Sequence, residues 1–398
     1  MNFRLLFSLI AMLSIAGCNI QTPKTNTQPA ERRSPIATPV PAKPKSELEE
    51  ATLIAVGDIM MHSTQTRSGY DAKKKTYNFD SFFAPVKSIL STGDWVIGNL
   101  ETPLAGEDAG GYTGYPLFNA PAQLADAAKK ARFNILTTAN NHALDRGEKG
   151  VIRTIANLRD RKIASTGTAT STAEASRTLI STKNNISLAM LAYTYSTNGI
   201  PIPKGKDYLV ALIDQKKIIK DIAKARKQGA DIIAISLHFG NEYQRQPNSE
   251  QKQLVENLLK AGADIILGSH THVVQPYKIF KFPGKNGKTR KAVAIYSMGN
   301  FISGQNKKYT DLGVILQVNI RKTLPEKTTE ITDVKTHPTW VHRYSLNNKL
   351  NYRVLPLAKT VTDKKDPLLA TSQYPVLKRD LQDMNNHLNS LNKPQHNK

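Results

Sequence analysis

A single cysteine, Cys18, among 398 residues means that no internal disulfide can form and no thiolate cluster can hold a metal. Acid is also scarce: 32 Asp and Glu stand against 55 Lys and Arg, a formal net charge of +23. From residue 51 onward no apolar run approaches the roughly 20 residues that a membrane-crossing helix needs. Whatever metal chemistry the body performs therefore rests on nitrogen and oxygen donors.

The lone cysteine has a distinctive place. Arg4 opens a short polar start, an apolar run extends from Leu5 to Ile15, and Ala16-Gly17 precede Cys18. That run is too short to span a bilayer and fits a secretory signal over residues 1–17. Leu13 to Cys18 resembles a bacterial lipobox, which implies diacylation of Cys18 and a membrane anchor. Asn19, in place of Asp, leans towards an outer-membrane or cell-surface destination. Residues 18–50 are then a tether: Pro23, Pro29, Pro35, Pro39, Pro41 and Pro44 punctuate residues 19–50, which have no aromatic residue to bury.

The basic surplus is concentrated late. Residues 281–398 hold 21 Lys and Arg against 8 Asp and Glu. Outside the cytoplasm such a surface attracts acidic capsule polymer, anionic lipid or wall polymer rather than nucleic acid, although a solvated basic face accounts for it equally well. Residues 323–398 read as a basic appendage ending in a disordered tail.

The body repeats one pattern: an amphipathic helix, a short turn, then an apolar strand ending in polar residues, the signature of an α/β fold. Pro121 to Ala131 reads as a helix before the strand Phe133–Thr138, which exits at Asn140-Asn141-His142. Asp214 caps a helix reaching Gln228 before Ile232–Ile235 and His238. Ser249 is expected to cap the next helix, before Ile265–Leu267, His270 and His272. Gly-Ala-Asp-Ile-Ile occurs twice, at 229–233 and 262–266. Strands around Leu53–Val56, Asp94–Ile97 and Ala292–Tyr296 exit at Gly57-Asp58, Asn99-Leu100-Glu101 and Gly299-Asn300. Sites in α/β folds assemble at such carboxyl ends.

His270-Thr271-His272 is the sharpest local signal, since alternate residues of an extended segment face one way. With Asp58, Glu101, Asn141 and His238 the set mixes oxygen and nitrogen without sulfur, which suits Mn, Fe or Zn and a pair of ions.

These motifs resemble, in content and order over about residues 51–305, the CapA (PGA_cap) family of bacterial capsule synthesis and poly-γ-glutamate biosynthesis proteins, within the calcineurin-like metallophosphatase superfamily. The resemblance implies a four-layer core of two packed sheets flanked by helices over 51–322. It also places Asp58, Glu101, Asn141, His238, His270 and His272 on ligand positions for two divalent transition metals. His142 falls where such enzymes protonate the leaving group, with Asp145 to orient it. His62, Asn99, Glu242 and Asn300 stand as further candidates. Two features depart from the superfamily: His62 lies two positions beyond the usual first histidine, and Glu101 replaces Asp. The implied activity is metal-dependent hydrolysis of a phosphoester or γ-glutamyl amide. The alternative is a non-catalytic module that binds capsule polymer beside synthase or export components.

Overall fold

The computed structural model describes residues 47–284, 289–346 and 348–393. The expected signal, Cys18 and the tether up to residue 46 lie outside them. No helix among the described residues is long and apolar enough to cross a membrane.

Two sheets form the centre. The larger follows the order β16 (Lys349–Pro356), β15 (Thr328–Leu346), β14 (Leu312–Leu324), β1 (Glu47–Ile59), β4 (Trp95–Leu100), β5 (Ile135–Thr137), β6 (Ala164–Thr166), with β13 (Asn300–Ile302) beside β1. The smaller follows β11 (Val274–Pro283), β12 (Thr289–Met298), β10 (Ile265–Ser269), β9 (Ile232–His238), β8 (Ile186–Thr194), β7 (Leu179–Lys183). A two-residue ribbon pairs β2 (Tyr70–Asp71) with β3 (Thr76–Tyr77). Leu53, Ala55, Trp95 and Ile97 of the larger sheet share one core with Met190, Ala234, Leu267 and Ile295 of the smaller. Phe82, Phe83, Leu90 and Leu124 cover the other face of the larger sheet, and Ile218, Ile222, Val255 and Leu258 that of the smaller. The order is helix, sheet, sheet, helix, the four-layer α/β fold expected. Strands buried on both faces explain why the sequence reads as continuous apolar runs.

The repeated Gly-Ala-Asp-Ile-Ile stitches this assembly. Gly229 and Gly262 take positive φ of 90° and 111° and end their helices. Each following aspartate reaches back one strand: Asp231 Oδ2 accepts from Ser187 N at 2.9 Å and Asp264 Oδ2 from Ile233 N at 2.9 Å. Asp214 caps the helix Gln215–Lys227 as expected, accepting from Lys216 N and Lys217 N. The next helix, Ser249–Lys260, is capped by Asn248 and not by Ser249: Asn248 accepts from Gln251 N while the Gln251 side chain returns to Asn248 N. That reciprocal pair satisfies two orphan donors where Ser249 would satisfy one.

The expected boundaries need correction. The tether does not extend to residue 50, because Glu47–Glu50 already form the start of β1, paired with Arg321–Leu324 of β14. The break at 322/323 falls inside β14, and residues beyond it are no appendage. β15 pairs with β14 and β16 with β15, and Val341, Tyr352 and Val354 enter the core. Their alternation was masked by intervening Lys, Asn and Thr. Nor is residue 373 onward a disordered tail up to 393: Gln373–Leu388 is a helix with Tyr374, Leu377 and Met384 buried. The residues at and beyond its end cover the edge of β11. Asn392 Oδ1 accepts from Ile279 N at 2.9 Å, and Val274 O accepts from His387 Nε2 at 2.9 Å. Side chains thus take the backbone groups an open edge would offer to another strand.

Candidate metal centre

The parallel register brings strand exits to one end of both sheets. Asp58 lies opposite Asn99 on β4 and Asn300 on β13. This close approach requires glycine: a Cβ on Gly57 would come within 1.8 Å of Gly299 O. The larger sheet supplies the oxygen donors Asp58, Glu101 and Asn141. The smaller sheet supplies the imidazoles of His238, His270 and His272. The site exists only where the two sheets converge.

Two donor groups result. Ligand atoms of Glu101, His238 and His270 lie within 4.8 Å of one another, as do those of Asp58, Glu101 and His272. All five side chains are buried, and Glu101 belongs to both groups. Asn141 joins the first through its Oδ1, 2.8 Å from His238 Nε2. His272 Nδ1 is 3.4 Å from Asp58 Oδ2.

The donor set fits cations on a specific observation. Glu101 Oε1 and His270 Nδ1 are buried without a hydrogen-bond partner, a condition that typically costs about 1–3 kcal/mol per group. Burial and the adjacent Asp58 push the Glu101 carboxyl well above the ordinary carboxylate range. Burial and the neighbouring His270 and His272 hold His238 well below the usual imidazole value, while burial and His272 bring His270 to about 4. Both rings therefore offer neutral nitrogen donors at neutral pH, as metal binding requires. A divalent ion in each group would neutralise the two carboxylates and give the orphaned atoms a partner.

This electrostatics has a measurable consequence. A proton on Glu101 competes with a cation, so affinity for Mn or Zn is expected to rise with pH and level off once Glu101 ionises. Calorimetry in buffers of different ionisation enthalpy should register net proton release on binding. Affinity constant between about pH 5 and 8 would contradict this assignment.

Around the donors is a supporting set. Asn99 Nδ2 donates to Asp58 Oδ1 at 2.8 Å and sits 3.3 Å from His238 Nδ1, while Asn140 Nδ2 donates to Asn99 Oδ1 at 3.3 Å and to Leu100 O at 2.8 Å. Asn99 is thus an orienting residue between both carboxyl strands and His238. Asn300 Oδ1 lies 3.2 Å from His272 Nδ1, and its Nδ2 donates to Thr310 O at 2.8 Å, tying the ring to the loop after β13. His142 Nδ1 lies 2.8 Å from Asp145 Oδ2, which also accepts from Phe118 N at 2.7 Å. The Phe118 ring stands edge-on to His142 at 4.6 Å.

His62 is not brought into either group. Its Nδ1 accepts from Gly304 N at 3.2 Å, and burial together with His272 lowers it to about 4. Glu242 stays at the mouth, its side chain 43% exposed and 3.9 Å from His272 Nε2.

The His-x-His reading needs correction in its geometry. β10 ends at Ser269, and His270 and His272 have φ of 96° and 58°. The two imidazoles converge through a left-handed bend and not through strand alternation. Non-glycine residues adopt that region at a cost, and such strain gathers at functional sites. Sequence reading missed Tyr195, whose ring lies 4.5 Å from His270. It follows β8, which carries an apolar run from Leu188 to Tyr193, so the strand-exit signal used for the other strands would have found it.

A profile described as bacterial capsule synthesis protein PGA_cap matches residues 52–305. The chain is 30% identical over 308 residues to the PGA biosynthesis protein CapA of Bacillus subtilis (strain 168), covering 75% of this chain and 76% of that protein. It is 29% identical over 283 residues to the capsule biosynthesis protein CapA of Bacillus anthracis, covering 69% of this chain and 65% of that one. Among solved structures it is similar to the calcineurin-like phosphoesterase YfkN from Bacillus subtilis, at 13% identity and a TM-score of 0.45, covering 87% of this chain and 100% of that one.

Proposed function

We propose, for a chain that belongs to the bacterial capsule synthesis protein family PGA_cap, that it is an envelope lipoprotein whose site hydrolyses a bond in, or leading to, an anionic capsule polymer such as poly-γ-glutamate. The observation that carries this reading is the pair of buried carboxylate and histidine groups sharing Glu101. Asp58, Glu101, Asn141, His238, His270 and His272 would hold two divalent ions of Mn, Fe or Zn type. Bound there, such ions supply Lewis acidity and a water of lowered pKa.

The chain's own residues do the rest. Asn99 and Asn140 keep the carboxyl strands from shifting, so the donors are set before substrate arrives. Asp145 takes the Nδ1 side of His142 and fixes the ring, leaving Nε2 as the nitrogen that passes a proton to the leaving atom. Phe118, braced by its own N–H on Asp145, fixes the ring plane. Cys18 would carry the lipid that keeps this chemistry at the membrane surface, near capsule synthase or export components.

The test loads the purified chain with Mn, Fe or Zn and offers phosphoesters and γ-glutamyl amides. Hydrolysis of one class, lost on chelation and regained with metal, is the expected result. A chain that carries the ions yet turns over neither class would leave the site without the proposed activity.

A further inference from the structure

At the mouth of the site an aromatic ring, Tyr243, carries the ammonium of Lys307. After β9 the chain turns through Tyr243, whose φ is 64° and whose N–H donates to Thr271 O at 2.8 Å. That bond fastens Tyr243 to the His270-Thr271-His272 bend, with its ring 6.1 Å from the His272 ring. Behind it, Gln275 Nε2 donates to Gln244 O at 2.9 Å and Gln246 O at 3.2 Å, so the segment following Tyr243 is pinned from below.

The loop after β13 reaches the same ring. Lys307 lays its Nζ on the Tyr243 ring, 3.6 Å from the centroid. The loop is held by the same residue that contacts the donor set: Asn300 Nδ2 donates to Gln305 Oε1 at 2.9 Å and Thr310 O at 2.8 Å, while its Oδ1 faces His272. Lys307 is exposed and makes no ion pair among the described residues. Resting on an aromatic face orders a long flexible side chain without neutralising its charge. The result is an oriented ammonium, in no ion pair among the described residues, at the mouth of a centre that combines two buried carboxyls with three imidazoles.

We propose that Lys307, set by Tyr243 and Asn300, is a specificity residue that receives an anionic group of the substrate on the unit next to the bond at the metal centre. This rests on the hydrolase reading for the identity of that bond, but the anion contact is a property of the lip itself. It selects an acidic chain over a neutral chain of the same length.

The experiment compares two labelled probes, a short γ-linked glutamate oligomer and its γ-linked glutamine counterpart, binding to the full metal-loaded chain, read by fluorescence anisotropy at low and high salt. Wild type should prefer the acidic probe. Lys307→Ala should reduce that preference by about three- to fivefold, the range an exposed ion pair supports, Lys307→Arg should keep it, and Lys307→Glu should reverse it. Metal content and melting temperature should match wild type in all three. An unchanged preference in both Lys307→Ala and Lys307→Glu overturns the proposal, as does equal weakening of both probes, which would mark a structural role. Because binding is read without turnover, a chain that hydrolyses nothing but shows the Lys307-dependent preference sinks the hydrolase reading alone.

Discussion

Replacing Glu101 by glutamine should empty both halves of the metal centre while making the metal-free protein more stable. Glu101 is the one side chain common to the two donor groups, so its loss is not confined to one ion. Changes to groups that merely support ligands weaken metal binding by roughly 10–100-fold, and removal of a shared charged ligand should exceed that. On the proposed two-ion site, elemental analysis of the variant is expected to show a small fraction of the wild-type metal content, whereas His270→Ala should deplete mainly the group it belongs to.

The stability half follows from burial. In the metal-free fold Glu101 is fully enclosed beside Asp58, and both effects drive its carboxyl well above its ordinary 4.5. The stabilisation available to the protonated form is complete below the unfolded carboxyl's range and is lost as pH rises towards the raised folded value. Glutamine has no such dependence and can donate to Asp58. Chelated Glu101→Gln should therefore unfold later than chelated wild type by about 1–3 kcal/mol, with the difference larger at pH 8 than at pH 5. A variant that kept both ions, or lost stability at high pH without metal, would show that Glu101 is held by something other than a cation.

His142→Ala is expected to leave metal content intact and reduce turnover by about 10²–10⁴, the range for removal of a positioned general acid. The ring touches Asp145 and Phe118 but belongs to neither donor group. The loss should depend on the leaving group: large for an alkyl ester or amide, small for a nitrophenyl ester whose oxygen departs without a proton. Asp145→Asn should show a milder version of the same leaving-group dependence, because the ring loses the carboxylate that orients it. Equal losses with good and poor leaving groups would assign His142 to substrate positioning. Unchanged turnover would remove it from the reaction.

The two donor groups also explain which sequence signals were informative. Asp58, Glu101, Asn141, His238, His270 and His272 each stand at or just beyond a strand end, and the strands announced themselves as apolar runs behind amphipathic helices. A buried strand has no packing need for an imidazole at its exit, so those residues stood out against their own surroundings. Where the local pattern was weaker the reading failed. β15 and β16 alternate short apolar residues with Lys, Asn and Thr because much of one face is solvated, and they passed for an appendage. Asn248 and Ser249 are both good caps, and only the reciprocal bond with Gln251 separates them.

His62 shows the same limit from the other side. A histidine near the first motif is a reasonable ligand by type, yet its Nδ1 is engaged by Gly304 N, 242 residues away in the chain. Nothing within a few residues of His62 indicates that partner.

What the sequence determined by itself is the chemistry available: oxygen and imidazole donors, no thiolate, an α/β framework and the strand ends that carry each donor. Tertiary structure alone decided that the oxygens come from one sheet and the imidazoles from the other, that Glu101 serves both groups, and that the histidine pair converges through a left-handed bend. It also placed Lys307 on Tyr243. The reason is physical. Periodicity and capping act over a few residues and are written locally, whereas the contact between His270 N and Asp58 Oδ2 joins positions 212 residues apart and depends on how two independently formed sheets pack.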